Sequence, residues 1–127
     1  MPDRGLSVGS GIFWSFVLGA VLLAPPAAAA DAAHGKELFS ACIACHSETS
    51  DAQGPSLKGV VGRKAGSLED FRYSGAMKRA DFIWDTANLR EYLHDPQTKV
   101  KGNHMPFSGY PNVVDADDVV AYLETYK

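Results

Sequence analysis

Two thiols and an imidazole stand together in Cys42-Ile43-Ala44-Cys45-His46, and the chain has no other cysteine. Near a helix end, cysteines three positions apart each reach one vinyl group of a porphyrin and form a thioether. The next residue then offers its neutral imidazole to the iron. C-x-x-C-H is the attachment pattern of a c-type haem. Other chemistries use the same residue types. A redox-active dithiol sits beside a βαβ unit, a pattern absent here. A structural zinc site needs a fourth ligand and usually a second cysteine pair. Covalent attachment lets a small chain use a large apolar cofactor as part of its core.

An iron held on one side by His46 needs a sixth ligand or an open site. The candidates are Met77, Met105, His34, His94 and His104. Met105 lies in Gly102-Asn103-His104-Met105-Pro106-Phe107, a loop between two helical segments, and a thioether presented by such a loop can close over the cofactor. Met105 is therefore the expected ligand. Met77, in Tyr73-Ser74-Gly75-Ala76-Met77, is read as packing, the usual work of an isolated methionine. His34 and His94 fall in helical segments and are read as solvent-facing.

The elements that must position these groups are helical. Gly35, Leu38, Phe39 and Cys42 lie at helical spacing and predict a first helix over 31–44. Asp85 as N-cap, a Trp84–Leu89 staple and the stripe Leu89, Tyr92, Leu93 predict a second over 86–94, ended before Pro96. Asp115 as cap, Asp117 and Asp118 at the positive end, and Val119, Val120, Leu123 and Tyr126 facing inward predict a third over 116–126. A short turn over 74–79 is a fourth, weaker signal. Between them lie Gly- and Pro-rich stretches with no strand alternation. The expected fold class is all-α, three main helices with long loops wrapped around one cofactor.

The first thirty residues read as a secretory leader: Arg4, then the largely apolar run Ile12 to Ala24, then Pro25-Pro26 and the small residues Ala27 to Ala30. The run is shorter than the roughly 20 residues a spanning helix needs. Cleavage after Ala30 leaves 97 of the 127 residues, Asp31 to Lys127, as one domain. Asp3 and Arg4 cancel, so that segment keeps the net charge of −3, which argues against nucleic acid as a partner. With 46% hydrophobic residues the composition is globular, but so small a domain has a marginal apolar core.

The mature segment resembles the class I cytochromes c, in the mitochondrial and bacterial c2-like branch. The likeness rests on Cys42-Ile-Ala-Cys-His46, Gly54-Pro55-Ser-Leu57, Gly59-Val-Val-Gly62-Arg63-Lys64, Phe71-Arg-Tyr73-Ser-Gly-Ala76, Trp84, Leu89-Arg-Glu-Tyr92-Leu93-His-Asp-Pro96, Gly102-Asn-His-Met105 and Ala121-Tyr122-Leu123. The resemblance implies one haem c bound through Cys42 and Cys45, with His46 and Met105 on the iron. It implies that the Pro55 carbonyl accepts the other imidazole N–H of His46. Arg63, Tyr73 and Trp84 would donate to buried haem propionates, and Tyr92 would bring its hydroxyl beside the Met105 sulfur. Asn103, where relatives commonly carry Thr, would bond a propionate or an internal water. Gly35 would let the first and last helices touch, with Phe39 and Tyr122 at the crossing. Two residues depart from the pattern. Lys101 stands where many relatives have Pro, which predicts a looser Met105 loop, and His104 stands where they often have Lys.

The function this implies is a periplasmic monohaem electron carrier, not an enzyme, expected as a monomer with no stable membrane insertion. Its partners would be transient redox proteins: a cytochrome bc1-type donor or a dehydrogenase, and an oxidase or a photosynthetic reaction centre as acceptor. Lys36, Lys58, Lys64, Lys99 and Lys101 would form a positive patch around the exposed haem edge. The alternative is a haem peroxidase or ligand-binding sensor with a labile sixth ligand.

Overall fold

The computed structural model describes residues 2–6, 9–12 and 19–127. Among them the chain forms helices α1 (Ala32–Phe39), α2 (Gly75–Arg79), α3 (Thr86–His94), α4 (Pro96–Lys99) and α5 (Val113–Thr125), with no strand. One isolated bridge joins Lys64 and Ile83. The apolar run Ile12–Ala24 lies partly outside the described residues. The described residues before Asp31 form no helix or strand, and no described helix is long and apolar enough to cross a membrane.

Asp31 starts α1 by accepting from the N–H groups of Ala33 and His34. The helix stops at Phe39, five residues before the expected end at Ala44. Ser40 donates its hydroxyl to the Glu37 carbonyl at 2.6 Å, competing with the helical ladder. The chain then tightens: Cys42 N–H bonds the Phe39 carbonyl at 2.9 Å, and the Cys45 and His46 N–H groups both turn back to the Cys42 carbonyl. The cysteine motif is thus wound at the tip of a helix rather than within it.

Helix α3 has the expected bounds, with Asp85 accepting from the Asn88 N–H at 2.7 Å. Pro96 ends α3 but also opens α4, a single turn the sequence did not predict. Asp95 serves both, closing α3 through its N–H and capping α4 through its side chain. Proline suits that first position because its missing N–H would have no helical partner there. Helix α5 begins three residues earlier than expected, with Asn112 rather than Asp115 as its cap.

Helices α1 and α5 cross where Gly35 meets the Asp118 carbonyl so closely that a Cβ would overlap it. Phe39 packs its ring 5.0 Å from Tyr122 and 5.1 Å from Tyr126 at the same crossing. Two readings of single residues are corrected here. Asp118, expected at the positive helix end, is buried, and His34, expected in solvent, is half-buried against it. The His34 Nδ1 lies 2.8 Å from the Asp118 carboxylate, which also accepts the Asp31 N–H at 2.6 Å. One acid on α5 therefore fastens the start of α1. Beside that crossing, Phe39, Leu89, Leu93, Val119 and Leu123 from α1, α3 and α5 line a central cavity.

Candidate functional site

The cavity has a volume of about 470 Å³, within the roughly 300–1,000 Å³ of sites that enclose an organic ligand. All ten site residues expected from the sequence line it: Cys42, Cys45 and His46 from the turn after α1; Pro55, Arg63 and Tyr73 from the loops that follow; Trp84 and Tyr92 at and within α3; Asn103 and Met105 from the loop after α4. Of the other candidate ligands, the buried Met77 and the exposed His104 also line it, whereas His34 and His94 do not.

The His46 Nδ1–H donates to the Pro55 carbonyl at 2.7 Å, which makes Nε2 the nitrogen with the free lone pair. Burial lowers the imidazole's affinity for a proton, and the Pro55 carbonyl offsets part of that. The neutral, ligating form is therefore favoured at neutral pH. Gly54 lies flat against the ring: a Cβ there would stand 2.6 Å from Cε1 and 2.7 Å from Nδ1. Burial pushes the Cys42 thiol up, with the Tyr110 hydroxyl acting against that. The two thiols are not joined to each other. Nor do Cys42, Cys45 and His46 gather into a metal-sized cluster among the described residues, as a zinc site would require.

At the Met105 loop, the Tyr92 hydroxyl lies 3.6 Å from the Met105 sulfur and 3.2 Å from the Asn103 Oδ1. Burial raises the Tyr92 phenol to about 12, so it stays a donor. Asn103 departs from the role the resemblance implied. Its two amide N–H groups are both taken by protein carbonyls, those of Pro96 and Val100, each at 2.9 Å. None is left for a propionate or an internal water. Its Oδ1 accepts the Met105 N–H at 2.9 Å. Gln97 adds a bond from its side chain to the Asn103 carbonyl at 3.0 Å and accepts the Gly102 N–H. Despite Lys101 in place of Pro, the loop is pinned, and His104 is exposed between two held residues.

The polar wall holds Arg63, Tyr73 and Trp84. Arg63 donates to the Ser56 and Lys58 carbonyls, which aim its guanidinium. Tyr73 accepts from the Leu68 N–H, leaving its own proton to give. Trp84 is buried on the same wall. No Asp or Glu lines the cavity, whereas Arg63 and Arg72 do, in a chain of net charge −3. Arg72, Ser74 and Tyr110 were not among the expected site residues; the basic Arg72 beside Tyr73 was the one signal that pointed to them. The expected lysine patch is smaller than read. Lys99 is drawn in, bonded to Asn88 at 2.6 Å and Glu91 at 2.5 Å, with its ammonium 5.0 Å from the centre of the Phe82 ring. Lys64 is paired with Asp81 at 3.3 Å.

These features suit a haem: an apolar cavity for the ring, two thiols at its edge, a neutral imidazole and a thioether on its walls, and acid-free donors for two carboxylates. Residues 32–127 match the family model described as cytochrome c. The chain is 45% identical to cytochrome c2 of Rhodoblastus acidophilus over 102 residues, covering 78% of this chain and 95% of that one. It is 39% identical to cytochrome c2 of Blastochloris viridis over 119 residues, 91% and 92% of the two chains. The structure of cytochrome cH from Methylobacterium extorquens superposes with a TM-score of 0.71 at 44% identity, over 75% of this chain and 98% of that one. The chain therefore belongs to the cytochrome c family, as a class I, c2-like electron-transfer cytochrome carrying one haem c through Cys42 and Cys45.

Proposed function

We propose that the protein is a periplasmic one-electron carrier with His46 and Met105 as the axial ligands of its haem, exported by a leader removed after Ala30. The observation that carries the ligand assignment is that His46 and Met105 line one cavity and both are tethered there, the His46 imidazole by the Pro55 carbonyl and the Met105 backbone N–H by the Asn103 side chain. When bound, the haem supplies an Fe(III)/Fe(II) couple, and Met ligation favours the reduced form. The chain's own residues set its surroundings. His46 is kept neutral and oriented, Arg63, Tyr73 and Trp84 would donate to the propionates, and Phe39, Leu89, Leu93, Val119 and Leu123 would exclude water.

Export is supported by the order of charge, apolar run and small residues over 1–30. Electrons would cross where the cavity rim is exposed, at Ala41, Gln53, Arg72, His104 and Pro106. That rim is free of acids and suits brief docking, of roughly under 1,200 Å² in total. The partners that fit are a bc1-type complex or a dehydrogenase as donor, and an oxidase or reaction centre as acceptor.

Met105→Ala tests the assignment in the haem-loaded protein. It is expected to lose the sulfur-to-iron absorption band and to lower the midpoint potential. A variant that keeps both removes Met105 from the iron.

A further inference from the structure

Asn103 is buried and uses every hydrogen-bonding position it has, and its orientation is forced by its partners. The Pro96 and Val100 carbonyls can only accept, so both face the amide nitrogen; the Met105 N–H can only donate, so it faces the amide oxygen. That same oxygen then receives the Tyr92 hydroxyl at 3.2 Å, while the Met105 sulfur lies 3.6 Å from that hydroxyl. Tyr92 has one proton for two acceptors, and an amide oxygen accepts far better than a thioether.

We infer that Asn103 is a positioning residue for the ligand Met105: it anchors the loop to the end of α4 and draws the Tyr92 proton away from the Met105 sulfur. The inference rests on the proposal that Met105 binds the iron. With Asn103 in place the sulfur lone pairs are free to donate to the metal. Without it, the Tyr92 proton turns to the sulfur, which becomes a poorer donor, and Fe(III) is the state that suffers more. The loop also loses the hydrogen bond that holds the Met105 backbone.

Asn103→Leu keeps the branching of the side chain and removes its polar atoms. The Pro96 and Val100 carbonyls retain backbone partners, the N–H groups of Val100 and Asn103, so the turn itself is preserved. In haem-loaded protein, Asn103→Leu is expected to raise the midpoint potential. It should also let free imidazole displace the sulfur at about tenfold lower concentration, the scale of one lost buried hydrogen bond. In a Tyr92→Phe background the same substitution should no longer raise the potential, while the imidazole effect persists. Asn103→Asp retains the acceptor oxygen and is expected not to raise the potential. A potential that Asn103→Leu leaves unchanged, or shifts equally with and without the Tyr92 hydroxyl, overturns the inference. A wild-type protein without a sulfur-to-iron band instead overturns the Met105 assignment beneath it.

Discussion

Gly54→Ala would test whether the His46 imidazole is clamped as its geometry requires. The new methyl would sit 2.6 Å from Cε1, 2.7 Å from Nδ1 and 3.0 Å from Nε2 of His46. Ordinary contact needs about 3.5 Å, so the ring must retreat by about 0.8–1 Å. The Nδ1–H bond to Pro55, now 2.7 Å, would then stretch to about 3.5 Å, where it ceases to count. Losing it costs about 1 kcal/mol, and crowding a packed ring a further ~1–3 kcal/mol. At about 4–8 °C per kcal/mol for a domain of this size, the midpoint of thermal unfolding should fall by ~8–30 °C. The imidazole also becomes a poorer donor to Fe(III), so the redox midpoint should rise. Gly75→Ala is the matched control. It sits at the start of α2, where the new Cβ meets only the mobile Arg79 Nη1 at 3.0 Å, and it should be neutral or stabilise by up to ~1 kcal/mol. Melting of the haem-loaded proteins followed by ellipticity, with potentiometric titration, reads both effects. If Gly54→Ala matches Gly75→Ala in both, the imidazole is not held between Gly54 and Pro55.

Four further outcomes follow from the same structure. His34 is raised by its bond to Asp118 and Asp118 is lowered by its bond to His34, from ordinary values of 6.5 and 3.8. The acid's contribution is lost as pH falls through its lowered value, and the imidazole's as pH rises through its raised one. The stability gap between wild type and Asp118→Asn should therefore be widest between those ordinary values and narrow on both sides, as thermal melts across pH would read; a gap constant with pH contradicts it. Lys101→Glu should slow electron transfer to an acidic partner at low salt and much less at physiological salt, where screening acts beyond about 8 Å. Lys99→Glu, which breaks the bonds to Asn88 and Glu91, should chiefly lower the melting temperature. Joint Cys42→Ser and Cys45→Ser should leave a largely unfolded chain, because the inward faces of α1, α3 and α5 line a cavity of about 470 Å³; a cooperative apo melt by circular dichroism would contradict this.

The site was legible wherever chemistry is written in short spacing. C-x-x-C-H names the cofactor's attachment without any tertiary information, the methionine of the glycine-flanked loop lies on the wall of the same cavity, and the Pro55 carbonyl meets His46 as the resemblance implied. What was not legible lies where one residue's role depends on a partner far along the chain. Asp117 and Asp118 look alike in sequence, at the acidic start of a helix. Only the crossing of α1 over α5 buries Asp118 beneath His34, which is 84 residues away, and leaves Asp117 with Arg90. Helix ends failed for a related reason. Ser40 and Asn112 each use a side-chain hydrogen bond to compete with or replace the ladder, and either result fits the same periodicity.

The Met105 loop is held without a proline at position 101. A proline ring stiffens by removing conformations from the free chain. Here the restraint is applied to the folded loop instead, through a helix turn that Pro96 starts and whose carbonyls Asn103 grips. Because α4 is a single turn without an apolar stripe, it leaves no periodic trace, and the amide that needs it looks like an ordinary loop asparagine. A side chain with two donors and a doubly accepting oxygen supplies anchoring of the kind that a proline ring could otherwise give. A hydroxyl at position 103 has one donor and cannot hold both carbonyls, so Asn103→Thr with Lys101 in place would leave the loop without either restraint.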